Sequence, residues 1–413
     1  MRKKIFVRAP CLSQTGYGEQ ARFALRALRS REDLYEIFIQ PIPWGRSGWV
    51  WEDSEFRNWM DERIIETQIL IQKKEIQFDL SLQITIPNEF QKLAPINFGY
   101  TAGIETTKVA PLWLKNANEI MDKILTVSNH SKDVYESTVV EAINNRTQEK
   151  IDYSLETPIE VVWETTPRSE TEEIVGFEPK NDFNFLTVCQ LSKRKNLVNT
   201  IVWFVEEFID KEVGLIIKGS TMNNSRIDKE ATEKTLSAIL EKYPDRKCSV
   251  SLLHGDLSSG QMSFLYSHPK IKSIVSIAHG EGFGLPLFEA AREGLPVVSV
   301  GWSGQLDFLR HDGKDYFANV DHKLDKIQPD VVWENVLVEG SEWAYADQGS
   351  YKMTLRMVHN KWDEYKKQAE ELQEIILTKF SDEKLFAGFI DALDLSKEQH
   401  ENYLKFMDEL DEM

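Results

Sequence analysis

The chain has 413 residues, a formal net charge of −18, 41% hydrophobic and 28% charged residues, and three cysteines. That length exceeds one ordinary core and makes two domains the natural expectation. The acidic balance argues against a general binder of nucleic acid or anionic membranes, and no apolar run approaches a membrane span. Cys11, Cys189 and Cys248 have no metal-ligand spacing and an odd count, which points to buried thiols in a reducing cytoplasm.

Lys4–Ala9 reads as a first strand, followed by a loop to Gly18 and a helix with Ala21, Ala24, Leu25 and Leu28 on one face. Gly16 and Gly18 give this segment a strand, glycine loop and helix arrangement. The first 31 residues hold eight Arg or Lys against Glu19 alone, either a basic face for an anionic acceptor or a solvated helix face. A second strand, Glu36–Gln40, leads into a loop with Trp44, Trp49 and Trp51, either a stacking platform for a sugar or planar group or a local hydrophobic plug. Strands are expected at Phe78–Ile84, Pro95–Ala102 and Ile124–Asn129, with helices at Lys108–Met121 and from His130. Glu105 and Ser128 then fall on loops after strand ends, where ligands of α/β domains sit.

The pattern breaks after Trp163, and the polar stretch 166–184 reads as a linker between a domain of residues 1–165 and one of 185–380. Phe185–Cys189 restarts the strands, and Lys193-Arg194-Lys195-Asn196 precedes a helix expected to turn Val198, Ile201, Val202 and Val205 inward. Val213–Gly219 and Ser249–Leu253 are further strands, the latter ending at His254-Gly-Asp-Leu257. Ile274–Ala278 is a buried strand that runs into His-Gly-Glu-Gly-Phe-Gly-Leu-Pro-Leu-Phe-Glu, residues 279–289. The glycines let the backbone approach a ligand, and Pro286 suits the first turn of a helix. The loop therefore delivers backbone N–H groups to a phosphate or sugar oxygen at a helix N-terminus. Glu281 and Glu289 are eight positions apart, so they serve different parts of one extended ligand, and carboxylates accept hydrogen bonds from paired hydroxyls. Val297–Gly301 is the next strand, and Ser303-Gly304 opens a short helix. From about Tyr351 the chain reads as helical to its end, with 381–413 a closing set of helices.

The string from Glu281 to Glu289, with Glu293-Gly-Leu-Pro-Val-Val298 behind it, resembles the Glu-x7-Glu signature of retaining glycosyltransferases of family 4. The resemblance implies the GT-B fold: α/β, two Rossmann-like parallel-sheet domains facing across a cleft, an N-terminal acceptor domain and a C-terminal nucleotide-sugar domain. It also implies that the terminal helices cross back to the N-terminal domain. By the same resemblance Arg194 and Lys195 meet the donor diphosphate, Glu289 the ribose, and Glu281 with the amides of Gly282, Phe283, Gly284 and Leu285 the sugar. His254 and Leu257 would flank the base, Gly16 and Gly18 would face the donor, and Glu105 joins the catalytic set. The usual Gly-Arg pair is here Cys189-Gln190, which removes one phosphate contact.

No Asp-x-Asp occurs, so the expected reaction is metal-independent transfer of a hexose-type sugar, without a cofactor, from a nucleotide-diphosphate donor. The expected acceptor is a glycan, glycolipid or other hydroxyl-bearing molecule rather than nucleic acid. The alternatives are a non-catalytic nucleotide-sugar binder and a GT-B-fold epimerase or phosphorylase.

Overall fold

The computed structural model describes residues 2–394 except Arg46, Glu75, Asn144, Asn145 and Thr147. The chain divides into two units. The first comprises residues up to Thr165, the excursion Val332–Ser341 and the stretch from Asp382; the second comprises Thr166–Val331 and Glu342–Ser381.

The first unit opens with β1 (Lys3–Ala9), α1 (Gly16–Arg29), β2 (Tyr35–Pro41), α2 (Glu55–Lys73), β3 (Leu80–Ile84) and β4 (Ile96–Thr101). It continues with α3 (Pro111–Ile120), β5 (Lys123–Thr126), α4 (Asn129–Ser137), the hairpin β6 (Val140–Ile143) and β7 (Lys150–Tyr153), and β8 (Ile159–Val161). Its sheet is parallel in the order β2-β1-β3-β4-β5-β8. Side chains on both faces of the central strands are buried, as a sheet covered by helices requires. The Thr15 hydroxyl caps α1 by accepting from the Gly18 N–H, and Pro111 occupies the first turn of α3, where its missing donor costs nothing.

The second unit runs β9 (Asn184–Val188), α5 (Leu197–Glu207), β10 (Gly214–Lys218), α6 (Arg226–Leu240), β11 (Ser249–Leu253), α7 (Ser259–Ser267) and β12 (Ile271–Ser276). Then come α8 (Leu285–Arg292), β13 (Val297–Val300), α9 (Leu306–Leu309), the hairpin β14 (Arg310–His311) and β15 (Lys314–Asp315), and β16 (Ala318–Val320). A second hairpin, β17 (His322–Lys326) and β18 (Glu342–Ala346), precedes α10 (Gln348–Asn360) and α11 (Trp362–Lys379). Its sheet is parallel in the order β11-β10-β9-β12-β13-β16. The core is built from Phe185, Phe204, Leu215, Ile217, Val275 and Val298 with Tyr351 and Leu355.

Three features add to or differ from the sequence reading. Val198 does not face inward: it is 57% exposed, and α5 buries Leu197, Ile201, Phe204 and Val205 instead. The left-handed Asn196 starts the helix at Leu197 and so sets its phase. The stretch 166–184 is no free tether, because Glu172 donates its N–H to Gly260 O, Lys270 pairs with Glu178, and Asn181 is buried in the second unit. Two of the basic residues at the start of the chain serve the unit itself. Arg22 is buried, donates to Cys11 O and Ser13 O and pairs with Glu19, while Arg26 donates to Thr165 O.

Residues 332–341 return to the first unit, where Val336 and Val338 pack on the cluster of Ile86, Ile104, Val109 and Trp113. The stretch from Asp382 does the same through α12 (Asp382–Ala392), whose Phe389 ring lies 5.8 Å from Phe23 and from Tyr100. The expected helices of 395–413 lie outside the described residues.

Candidate active site

The second unit has the strand order in which β9 and β12 are neighbours although their outgoing connections diverge, and ligands of such sheets bind at that switch point. The sequence places its charge there. Beyond β9 the backbone makes a short 3₁₀ turn, Lys193–Lys195, closed by Asn196 at φ 52°. Two bonds fasten this turn to the chain leaving β12: His279 N–H to Arg194 O, 2.8 Å, and Asn196 Nδ2 to Ile277 O, 3.3 Å.

Arg194 and Lys195 converge on one carboxylate. Lys195 Nζ lies 2.5 Å from one oxygen of Glu281, and an Arg194 terminal nitrogen lies 3.1 Å from the other and 2.7 Å from Gly280 O. The Glu281 side chain is only 11% exposed. Burial alone would push its carboxyl up, but Lys195 and then Arg194 outweigh that and hold it below the ordinary glutamate value. Two cations thus meet one carboxylate in a poorly solvated place, beside the N-terminus of α8.

The loop that carries Glu281 is held at both polar groups of that residue. Its N–H donates to Ser303 Oγ at 3.0 Å, and its carbonyl accepts from Gly304 N–H at 2.9 Å. The Ser303 hydroxyl in turn donates a hydrogen bond to Gln305 Oε1, 2.8 Å away. Ser303 pays for this with φ 75°, a backbone conformation that glycine adopts more readily. At Gly304 a Cβ would stand 1.8 Å from Gly282 O, so this glycine is a condition of the close approach.

Gly284 caps α8 from the left-handed region at φ 93°. The amides of Gly282, Phe283, Gly284 and Leu285 donate to no acceptor among the described residues, as an anion or hydroxyl site at a helix start needs. Phe283 contributes its backbone only. Its ring is buried among Phe288 and Phe308, 5.4 and 5.1 Å away, which anchors the loop to the core. Glu289 lies on α8 about 6 Å further along the axis, from a rise of about 1.5 Å per residue. One of its oxygens accepts the Tyr266 hydroxyl at 3.0 Å, which orients the carboxylate.

His254, expected near a base, is a strut. Its Nε2 lies 2.8 Å from Asp228, whose carboxylate also accepts the N–H groups of Thr221 and Met222. Lys218 Nζ donates to Gly255 O and steadies the same loop, which carries the half-buried Leu257. Gln190 stands apart from the cation pair: its amide donates to Thr221 O.

In the first unit Gly16 and Gly18 differ. A Cβ on Gly18 would meet Ser13 O at 1.9 Å, whereas one on Gly16 would meet nothing within 4 Å. Gly18 is thus a packing requirement, and Gly16 leaves open space. Tyr17 between them donates to or accepts from Thr101 Oγ1 at 2.9 Å and packs on Trp44 at 4.2 Å. The three tryptophans therefore divide: Trp44 plugs the loop, while Trp49 and Trp51 are 65% and 91% exposed. Glu105 is half-buried on the loop between β4 and α3, and Ser128 caps α4.

Among the described residues no group of three His, Cys, Asp or Glu is arranged to hold a metal ion, and no helix is long and apolar enough to cross a membrane. Burial pushes the Cys11 thiol up to about 12 and that of Cys189 to about 11, so neither is a thiolate near neutrality. Sequence reasoning missed Tyr266 and Asp228, and it read Ser303 and Gly304 only as a helix start. Their roles depend on partners 22 to 26 positions away in the chain.

No protein-family model matches this chain, and no curated protein matches it. Solved structures do. Sucrose-phosphate synthase from Thermosynechococcus elongatus superposes with a TM-score of 0.59 at 12% identity, over 94% of this chain and 98% of that one. Anabaena HepE in complex with UDP-glucose gives 0.56 at 13%, over 95% and 99%. The lipopolysaccharide outer core galactosyltransferase WaaB, in its apo form, gives 0.53 at 13%, over 95% and 99%. At such identities the likeness speaks for architecture: the chain has the GT-B fold of two Rossmann-like parallel-sheet units.

Proposed function

We propose that this chain is a retaining glycosyltransferase that moves a hexose-type sugar from a nucleotide-diphosphate donor to a hydroxyl-bearing acceptor, without a metal ion. The observation that carries this reading is the convergence of Arg194 and Lys195 on Glu281 beside the open amides of residues 282–285, with Glu289 further along the same helix. Those groups match, in order, a diphosphate, a sugar and a ribose. Relatives in fold favour it too: HepE was caught with UDP-glucose, and the others are named for sucrose-phosphate synthesis and galactosyl transfer.

In this mechanism the bond from the anomeric carbon to the leaving phosphate oxygen breaks while Arg194, Lys195 and the loop amides take up the developing charge. The acceptor oxygen bonds to the same face of the anomeric carbon, and its proton passes to the departing phosphate. Glu281 and the amides hold the sugar hydroxyls, and Glu289 holds the ribose. Gly16 is assigned to face the donor, and Glu105 to the catalytic set. A glycan or glycolipid is the proposed acceptor class, and the three free cysteines fit a cytoplasmic setting.

A second reading, a nucleotide-sugar binder without turnover, is favoured by Gln190, which supplies no cation at the phosphates. One experiment separates the two. The protein is incubated with a panel of nucleotide sugars beginning with UDP-glucose, with and without excess chelator. Thermal shift reports binding, nucleoside diphosphate release reports turnover, and NMR of the product reports anomeric configuration. Turnover that survives chelation with retained configuration supports the proposal. Binding without turnover supports the second reading, and neither binding nor turnover removes both.

A further inference from the structure

The Glu281 carboxylate engages both cations that the proposed reaction needs for the diphosphate. Its backbone is not free to leave, because Ser303 Oγ and Gly304 N–H hold the Glu281 peptide on its two sides. The Gly304 contact with Gly282 O leaves no slack behind the loop. Only the side chain can swing. Arg194 stays in place without it, since its guanidinium also donates to Gly280 O, and Asn196 and His279 pin the turn.

A donor diphosphate entering this place brings about two negative charges, and the nucleoside diphosphate left after transfer carries about one more. In a poorly solvated site one anion partner for Lys195 and Arg194 weakens the hold on another.

We propose that Glu281 competes with the diphosphate for Lys195 and Arg194, yielding them as the donor enters and reclaiming them as the spent nucleoside diphosphate departs. Glu281 thereby limits the affinity for product. This gives it a role beyond holding sugar hydroxyls, and it rests on the reading of Arg194 and Lys195 as the diphosphate site.

The test compares UDP and inorganic pyrophosphate binding to the full chain, parent against Glu281→Gln, by titration calorimetry, with melting temperature against ligand concentration as a second readout. Removing the competing charge should tighten UDP binding about tenfold or more, with stronger product inhibition by UDP. Ser303→Gly relaxes the clamp but keeps the carboxylate, so it should not reproduce the gain. Glu281→Asp, which retracts the charge by one carbon, should fall between and covers the case in which Glu281→Gln does not fold. If the parent binds UDP or pyrophosphate and Glu281→Gln and Glu281→Asp bind them equally or more weakly, the competition is overturned. A gain of the same size in Ser303→Gly also overturns it, by assigning the effect to loop opening. If none of the proteins binds either anion, the diphosphate reading itself fails first.

Discussion

Both units are helix-covered parallel sheets, yet their switch points are furnished in opposite ways. In the second unit the order β11-β10-β9-β12 opens the switch between β9 and β12, and both outgoing loops bring charge there: Arg194 and Lys195 from one, Glu281 from the other. In the first unit the order β2-β1-β3 opens it between β1 and β3. The loop leaving β1 there is lined by hydroxyls of Ser13, Thr15 and Ser47 within 2.9 Å of one another along the chain of contacts, and Arg22 is spent on Cys11 O and Ser13 O. One sheet thus gathers an Arg, a Lys and a Glu at its mouth, and the other a loop of linked hydroxyls.

The largest expected effect breaks the charged side. Lys195→Ala should lower kcat by two to three orders of magnitude, about 3–4 kcal/mol of transition-state stabilisation, with a smaller change in donor affinity. Arg194→Ala should do less, because Gly280 O shares its guanidinium. Steady-state kinetics on folded variants decide this, and a Lys195→Ala enzyme with parental turnover would move the phosphate site elsewhere.

The backbone approaches come next and set the two units side by side. Gly304→Ala and Gly18→Ala each drive a Cβ into a carbonyl, at 1.8 and 1.9 Å, and should cost about 1–3 kcal/mol of stability each. Gly16→Ala faces open space and should melt within about 0.5 kcal/mol of the parent. Chemical denaturation measures all three. If the folded Gly16→Ala protein is slow with every donor, Gly16 borders the ligand; if its turnover is parental, that assignment falls.

A third effect concerns Glu289 on α8 and the α7 tyrosine that braces it. Glu289→Gln should raise donor KM by about tenfold, one lost charge-assisted hydrogen-bond pair, with kcat changed less. An unchanged KM would remove Glu289 from the ribose. Tyr266→Phe should move KM the same way by a smaller factor, since it only orients that carboxylate.

The smallest effect is in acid. Glu281 titrates in the folded protein below its unfolded value of 4.5, so its contribution to stability is complete above pH 4.5 and is lost as the pH falls below it. Melting temperatures followed downward from pH 6 should fall less steeply below 4.5 in Glu281→Gln than in the parent. Parallel curves would mean that the ion pair does not couple to folding.

Local chemistry was enough for much of this. The alternation of apolar strand runs with amphipathic helices set the doubly wound class, because parallel strands buried on both faces read as continuous Val, Ile and Leu. The glycine loop, Pro286 and the spaced Glu281 and Glu289 were legible because a turn, a helix start and two carboxylates each act through their own residue type. Tertiary structure decided the rest. That Phe283 offers an amide and not a ring depends on Phe288 and Phe308, and that His254 is a strut depends on Asp228. Val198 faces outward because one left-handed residue, Asn196, sets where α5 begins. The return of residues 332–341 to the first unit has no local signal, since only the core around Ile104 and Trp113 gives Val336 and Val338 a place to be buried. A residue type determines what a side chain can do, but its partner determines what it does, and partners distant in the chain meet only once the sheets have formed.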